Sequence, residues 1–257
     1  MAKSKASKLN LTSTSNCKSE YSTILLYGDN GSGKTTFAGT WPNPVFLVPG
    51  LALNEMRTLE DYDLPVVTFD TIPELRTQIG AITKAILRNE LICDTLVVDN
   101  LTAMQLLVEE QLKSDANKTK LEWEEWGQFS SLFSLLMKEL HSLPCHVIWI
   151  THEVVKMIDN KAVGELTLTG KSKNFIPGFA DMILRMEVVD LKKAGLKYKL
   201  HLKGHNIWNV RLRGDRDKIA SLPPELIDPC YDDLAGLLDW PLRAELEGEE
   251  GEETVAE

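Results

Sequence analysis

Gly28-Asp29-Asn30-Gly31-Ser32-Gly33-Lys34-Thr35 is the stretch that decides the fold. It matches G-x-x-x-x-G-K-[ST], with the apolar run Thr23 to Tyr27 (TILLY) before it and a short helix-forming run, Lys34 to Thr40, opening at its end. An apolar run that stops at a glycine reads as a parallel strand buried on both faces. The glycines let the backbone curl so that successive N–H groups aim at one anion, and the helix start adds the positive end of its dipole. Gly28, Asp29, Asn30, Gly31, Ser32, Gly33, Lys34, Thr35 and Thr36 are therefore the expected phosphate cradle. Lys34 is expected to reach the β- and γ-phosphates of ATP and the Thr35 hydroxyl to coordinate Mg²⁺. Such a site needs a second strand ending in a metal-holding carboxylate, and Leu96 to Asn100 (LVVDN) supplies Asp99.

Outward from this loop, apolar runs at Val45 to Val48, Pro65 to Phe69, Leu96 to Val98 and Val147 to Thr151 alternate with helical stretches. One helix opens at Thr71-Ile72-Pro73-Glu74, and two more lie between Leu101 and His141. This alternation predicts a three-layer α/β fold with a mainly parallel sheet. A Gly-, Lys- and Asn-rich loop is expected from Glu153 to Phe175, then an apolar run from Met182 to Val189. Leu196 to Lys203 and Ile207 to Arg213, joined by Gly204-His205-Asn206, read as a C-terminal antiparallel hairpin. In the first of these strands Lys197, Lys199, His201 and Lys203 share one face, and in the second Arg211 and Arg213 do. Cations on one sheet face without interleaved carboxylates call for an anion, either DNA phosphate or a neighbouring subunit's nucleotide. Trp123, Trp126, Phe129 and Phe133 have helical spacing and read as a core stripe.

The chain has 257 residues, 43% hydrophobic and 26% charged, which excludes global disorder. No apolar stretch approaches the ~20 residues needed to cross a bilayer. The four cysteines are scattered, with no CxxC pair and no zinc spacing. The first residues carry lysines with no apolar segment behind them, so no secretory signal is read and a cytoplasmic location is expected, that of the host cell if the chain is phage-encoded. The net charge of −10 is unevenly spread: Pro241 to Glu257 holds seven Glu against one Arg, while Lys192 to Lys218 holds nine Lys or Arg against two Asp. The expected organisation is a flexible basic arm over 1–20, a core over 21–240 and a disordered acidic tail over 241–257.

The segments YGDNGSGKTTFA, CDTLVVDNLT, VIWITHE and GKSKNFIPGFAD together resemble the RecA-core ATPases. Within these the chain looks closest to the phage nucleotide-binding proteins described as RecA-like single-strand annealing proteins. The resemblance spans about Tyr21 to Leu238 and implies a RecA-like P-loop NTPase core. It also implies an ATP-dependent single-stranded DNA-binding recombination protein, for annealing or strand pairing, with slow DNA-dependent ATPase activity. The chain would form a homo-oligomeric ring or filament with ATP at subunit interfaces, and a single-strand-binding protein is a further expected partner. His152 matches the place of a γ-phosphate sensor, and the 153–175 loop that of a DNA-contacting loop with Lys161, Lys171 and Lys173. Arg211 and Arg213 match basic residues that face the nucleotide of the next subunit. One departure is plain: Gly50 stands near the place where a water-polarising Glu is usual, leaving Glu55 or Glu153 as the substitute, or ATP chiefly as an assembly switch, and slow turnover as the expectation. The alternatives from other classes are an ATP-controlled assembly or loader protein with little DNA contact, and a P-loop small-molecule kinase.

Overall fold

Every residue of Thr23–Gly28 is buried, as an apolar run without polar alternation demands, since both of its faces must be covered. The computed structural model describes residues 20–158, 161–192, 195–205 and 208–249. All but the last residue of the basic arm expected over 1–20, and the end of the tail, 250–257, lie outside these. So does the Lys161 side chain.

Along the chain run β1 (Thr23–Gly28), α1 (Lys34–Gly39), β2 (Pro44–Pro49), a 3₁₀ stretch (Gly50–Tyr62), β3 (Val66–Phe69), α2 (Ile72–Leu87) and β4 (Thr95–Val98). There follow α3 (Leu101–Asp115), α4 (Trp123–His141), β5 (His146–Ile158), β6 (Lys161–Leu166), α5 (Ser172–Phe179) and β7 (Met182–Leu191). The chain continues through β8 (Gly195–His201), β9 (Arg211–Leu212), α6 (Arg216–Ser221), β10 (Glu225–Ile227), α7 (Tyr231–Leu238) and α8 (Arg243–Glu249). The parallel part of the sheet has the order β7-β1-β5-β4-β2-β3, with β8 and β10 added antiparallel beyond β7. On one face Leu25 and Tyr27 pack with Leu75 of α2, Met104 of α3 and Phe133 of α4. On the other, Ile24 and Leu26 pack with Phe37 of α1 and Leu234 of α7. The expected three-layer α/β fold with a mainly parallel sheet is thus present.

Four expectations need correcting. The loop expected from Glu153 to Phe175 is largely regular structure, because β5 continues to Ile158 and β6 folds back on it, with Lys156 Nζ 2.7 Å from Glu165 Oε2 across the ribbon. The expected hairpin between 196–203 and 207–213 does not form. Both strands pair instead with β7, whose ten residues offer Met182 and Ile183 to β9 and Arg185 to Leu191 to β8. Trp123 is 90% exposed and stands outside the core stripe, which is buried at Phe129 and Phe133. The tail expected to be disordered beyond Trp240 opens with α8, whose first residue, Arg243, donates its N–H to Asp232 Oδ1 at 2.8 Å. Among the described residues no helix is long and apolar enough to cross a membrane.

Candidate functional site

At the end of β1 the chain turns through Asp29–Gly33 into α1, and the geometry needs glycine at both ends of the motif. A Cβ at Gly28 would sit 2.1 Å from the Met186 carbonyl oxygen. Gly33, the N-cap of α1, is left-handed at φ 84°, and a Cβ there would meet the Tyr198 ring at 2.7 Å. Lys34 is buried, and its ammonium donates to the carbonyls of Gly28 (3.1 Å) and Asp29 (2.7 Å) and to Ser32 Oγ (3.3 Å). Burial lowers its pKa; the carboxylates of Asp99 and Glu55 pull the other way.

Asp99 directly follows β4 and has no solvent exposure. Its Oδ2 accepts the Thr35 hydroxyl at 2.6 Å, while Oδ1 has no hydrogen-bond partner among the described residues. Burial raises its pKa well above the usual carboxylate range, the Thr35 hydrogen bond opposes this, and the Glu55 charge adds to it. A buried carboxylate oxygen with no donor, next to a threonine hydroxyl, is the chemistry of a divalent-cation site, so the residues present fit Mg²⁺.

Asn100 follows across a cis peptide bond and caps α3, its Oδ1 accepting Ala103 N–H at 2.8 Å. Its amide Nδ2 donates to Glu55 Oε1 at 2.8 Å and lies 3.2 Å from His152 Nε2. Two amide hydrogens serve both acceptors only if that ring nitrogen is unprotonated. Burial, and then the charge of Lys34, lower the His152 pKa and favour this neutral form. His152 reaches the cleft because β5 is in register with β1, which sets it opposite Gly28. Glu55 reaches it from the 3₁₀ stretch after β2. The resulting cleft, about 350 Å³, is walled by residues 30–36 together with Glu55, Thr58, His152 and Tyr198.

The structure thus brings Lys34, Thr35, Asp99, Glu55 and His152 together and leaves Glu153 out. Both Glu153 carboxylate oxygens accept from Arg185 Nε at 3.0 Å, and its side chain is 1% exposed, so it is locked in an ion pair and does not line the cleft. Arg211 and Arg213 lie toward the other end of the sheet, beside the start of β7. Arg211 donates to the carbonyls of Pro177 and Ala180 and Arg213 to that of Gly178, so both hold the end of α5. The expected unpaired basic face is also neutralised: Lys197 meets Asp228 at 2.5 Å, Lys199 meets Glu225 at 3.0 Å, and Lys203 donates to the Ala220 carbonyl. Carboxylates from β10 and the turn after it do what no carboxylate within β8 does. Lys173 lies 3.6 Å from Glu165.

Three cleft residues escaped the sequence reading. Asn100 carried a usable signal, as an Asn directly before a helix. Tyr198 and Thr58 carry none, because Tyr198 falls on the apolar side of an alternating run and Thr58 lies in a stretch with no motif.

A profile of the AAA domain matches residues 20–213. The chain belongs to this AAA domain family. Its strand-loop-helix motif is accordingly the phosphate-binding loop of a P-loop NTPase core, the basis of nucleotide binding. No curated protein matches the sequence. One similar solved structure is described as a prototypical ATPase from the type III secretion system of pathogenic bacteria. The two are 16% identical, with a TM-score of 0.40 over 64% of this chain and 51% of that one. This AAA domain spans about half the length of that protein.

Proposed function

We propose that this AAA domain binds ATP with Mg²⁺, hydrolyses it slowly, and uses the cycle to govern assembly on single-stranded DNA, for annealing or strand pairing. The observation that carries the nucleotide part is the buried Asp99 carboxylate with its unpartnered Oδ1, hydrogen-bonded through Oδ2 to Thr35, which walls the cleft together with Glu55 and His152. Thr35 and Asp99 would hold the Mg²⁺, which supplies positive charge against the β- and γ-phosphate oxygens when bound. Lys34 turns its donors from the loop carbonyls to phosphate oxygens, and the free N–H groups of the loop do the same. Glu55 is the general base for the attacking water, the one carboxylate among the residues that wall the cleft. Asn100 holds it, and His152 on the same amide reads the state of the γ-phosphate. Tyr198, packed on Gly33, walls the nucleotide.

The DNA part is supported by the resemblance to single-strand annealing proteins and by Lys171, which follows β6 and has no ion-pair partner among the described residues. Homo-oligomerisation in a ring or filament belongs to the same reading. One observation favours a second reading, an ATP-controlled loader with little DNA contact: the lysines of β8 are already matched by carboxylates. Binding of a labelled single strand with and without ATP separates the two, since a loader would show no ATP-dependent affinity. For the nucleotide part, Glu55→Gln should keep ATP affinity and lose turnover, which in the wild type is expected below the ~10 s⁻¹ of a typical enzyme. Unchanged turnover in that variant would remove Glu55 from the role of base.

A further inference from the structure

We infer that single-stranded nucleic acid lies in the groove between α4 and α5, with bases against Trp123 and Trp126 and phosphates against Lys171 and Lys138. This rests on the single-strand-binding reading above and assigns it a surface. Two adjoining cavities of about 470 and 600 Å³ run along the groove and share Ser130, Ser131 and Lys171. Neither is lined by a carboxylate, although the chain as a whole carries −10. The groove is therefore a cationic strip on an acidic protein, matched to a polyanion. Lys171 and Lys138 have no ion-pair partner among the described residues, in contrast to the lysines of β8. Of the three carboxylates beside Trp123 and Trp126 in sequence, Glu122 and Glu125 are drawn onto Lys118, at 2.9 and 2.6 Å, and the exposed Glu124 does not line either cavity.

Trp123 is the most exposed large apolar side chain among the described residues, at 90%. A bare indole beside unpaired cations is what sequence-tolerant single-strand binding uses, since every base offers a stacking face. From Trp123 to Lys138 the helix runs roughly 22 Å at 1.5 Å per residue, the reach of a few nucleotides. The segment leading to Lys171 is fastened to α3: Thr102 Oγ1 donates to the Thr167 carbonyl at 3.0 Å, and Thr169 N–H donates to Gln105 Oε1 at 2.7 Å. Because α3 begins at its cap Asn100, one helix joins the rim of this groove to the phosphate cleft.

The test uses the full-length protein with ATP and Mg²⁺, titrated into dye-labelled oligothymidylate at several salt concentrations and followed by anisotropy. Trp123→Ala should weaken binding about tenfold without changing the salt dependence, because stacking carries no counterion. Lys171→Ala and Lys138→Ala should each reduce the log-log salt slope by about 0.7. ATP affinity should be unchanged in all three, which shows that they fold. If the wild type binds the strand and the three variants match it in affinity and slope, the groove is overturned while the single-strand reading stands. If the wild type does not bind even at low salt, both fall. Variants that alter the sedimentation of the protein and leave DNA affinity alone would make the groove a contact between copies of the chain, which also overturns the inference.

Discussion

The phosphate cleft and the C-terminal edge of the sheet both gather charged side chains, and they treat them in opposite ways. In the cleft Asp99 is buried with one carboxylate oxygen unpartnered, and Lys34 spends its donors on loop carbonyls. At the edge, Arg185 is held by Glu153 and Glu187, His201 lies 2.9 Å from Glu187, and the Arg185 guanidinium stacks 4.6 Å from the Trp208 ring centre. Matched charge is satisfied within the fold and costly only to break, whereas charge kept buried and unmatched waits for a ligand. The comparison teaches that a count of lysines and arginines locates cations without showing which remain available. The nine basic residues between Lys192 and Lys218 make the strongest positive run in the sequence. Among those the structure describes with partners, Lys197, Lys199, Lys203, Arg211 and Arg213 are all engaged within the chain.

The largest expected effect breaks the matched side. Arg185→Ala leaves Glu153 buried and unpaired and should cost about 3–5 kcal/mol of stability in chemical denaturation. The fraction that stays folded should bind ATP normally; loss of ATP binding at unchanged stability would place this network in the nucleotide site instead. Next comes the unmatched side, where Lys34→Ala removes charge-assisted hydrogen bonds to phosphate worth roughly 1.5–3 kcal/mol, a loss of about 10- to 100-fold in ATP affinity by calorimetry. Its circular dichroism spectrum should match that of the wild type. Nucleotide affinity equal to wild type would end the assignment of the loop.

Smaller effects sharpen the contrast. Lys197→Ala removes a surface ion pair and should change stability by less than about 1 kcal/mol, with single-strand affinity and its salt slope untouched. A reduced slope would mean that Asp228 does not withhold this lysine from DNA. The smallest is a pH effect at His146, whose ring nitrogen Nδ1 accepts the Ser22 N–H at 3.1 Å and whose pKa is lowered by burial. The folded ring resists a proton that the unfolded ring accepts below about pH 6.5, so stability should fall as pH drops through that value. The melting temperature of His146→Gln should show less of this acid loss.

The sequence by itself determined the parts whose causes are contiguous. The phosphate loop needs glycines at set offsets between an apolar strand and a helix, and all of that lies between Thr23 and Gly39. Asp99 was legible because it ends an apolar run, and the three-layer fold because strands buried on both faces must alternate with helices that cover them. The alternation in 196–203 showed a strand but could not choose its partner, since period-two patterning says which side chains share a face and nothing about the neighbouring strand. That choice fell to β7, and it brought Glu187 and, through β10, Glu225 against Lys199, which had looked unpaired. Tertiary structure alone decided that Glu55 enters the cleft by way of a 3₁₀ stretch while Glu153, nearer to His152 in sequence, is taken by Arg185. It also decided that Trp123 stands bare while Phe129 and Phe133, on the same helix, are buried. Such outcomes depend on residues far apart in the chain meeting under long-range packing and charge pairing, which local propensity does not encode.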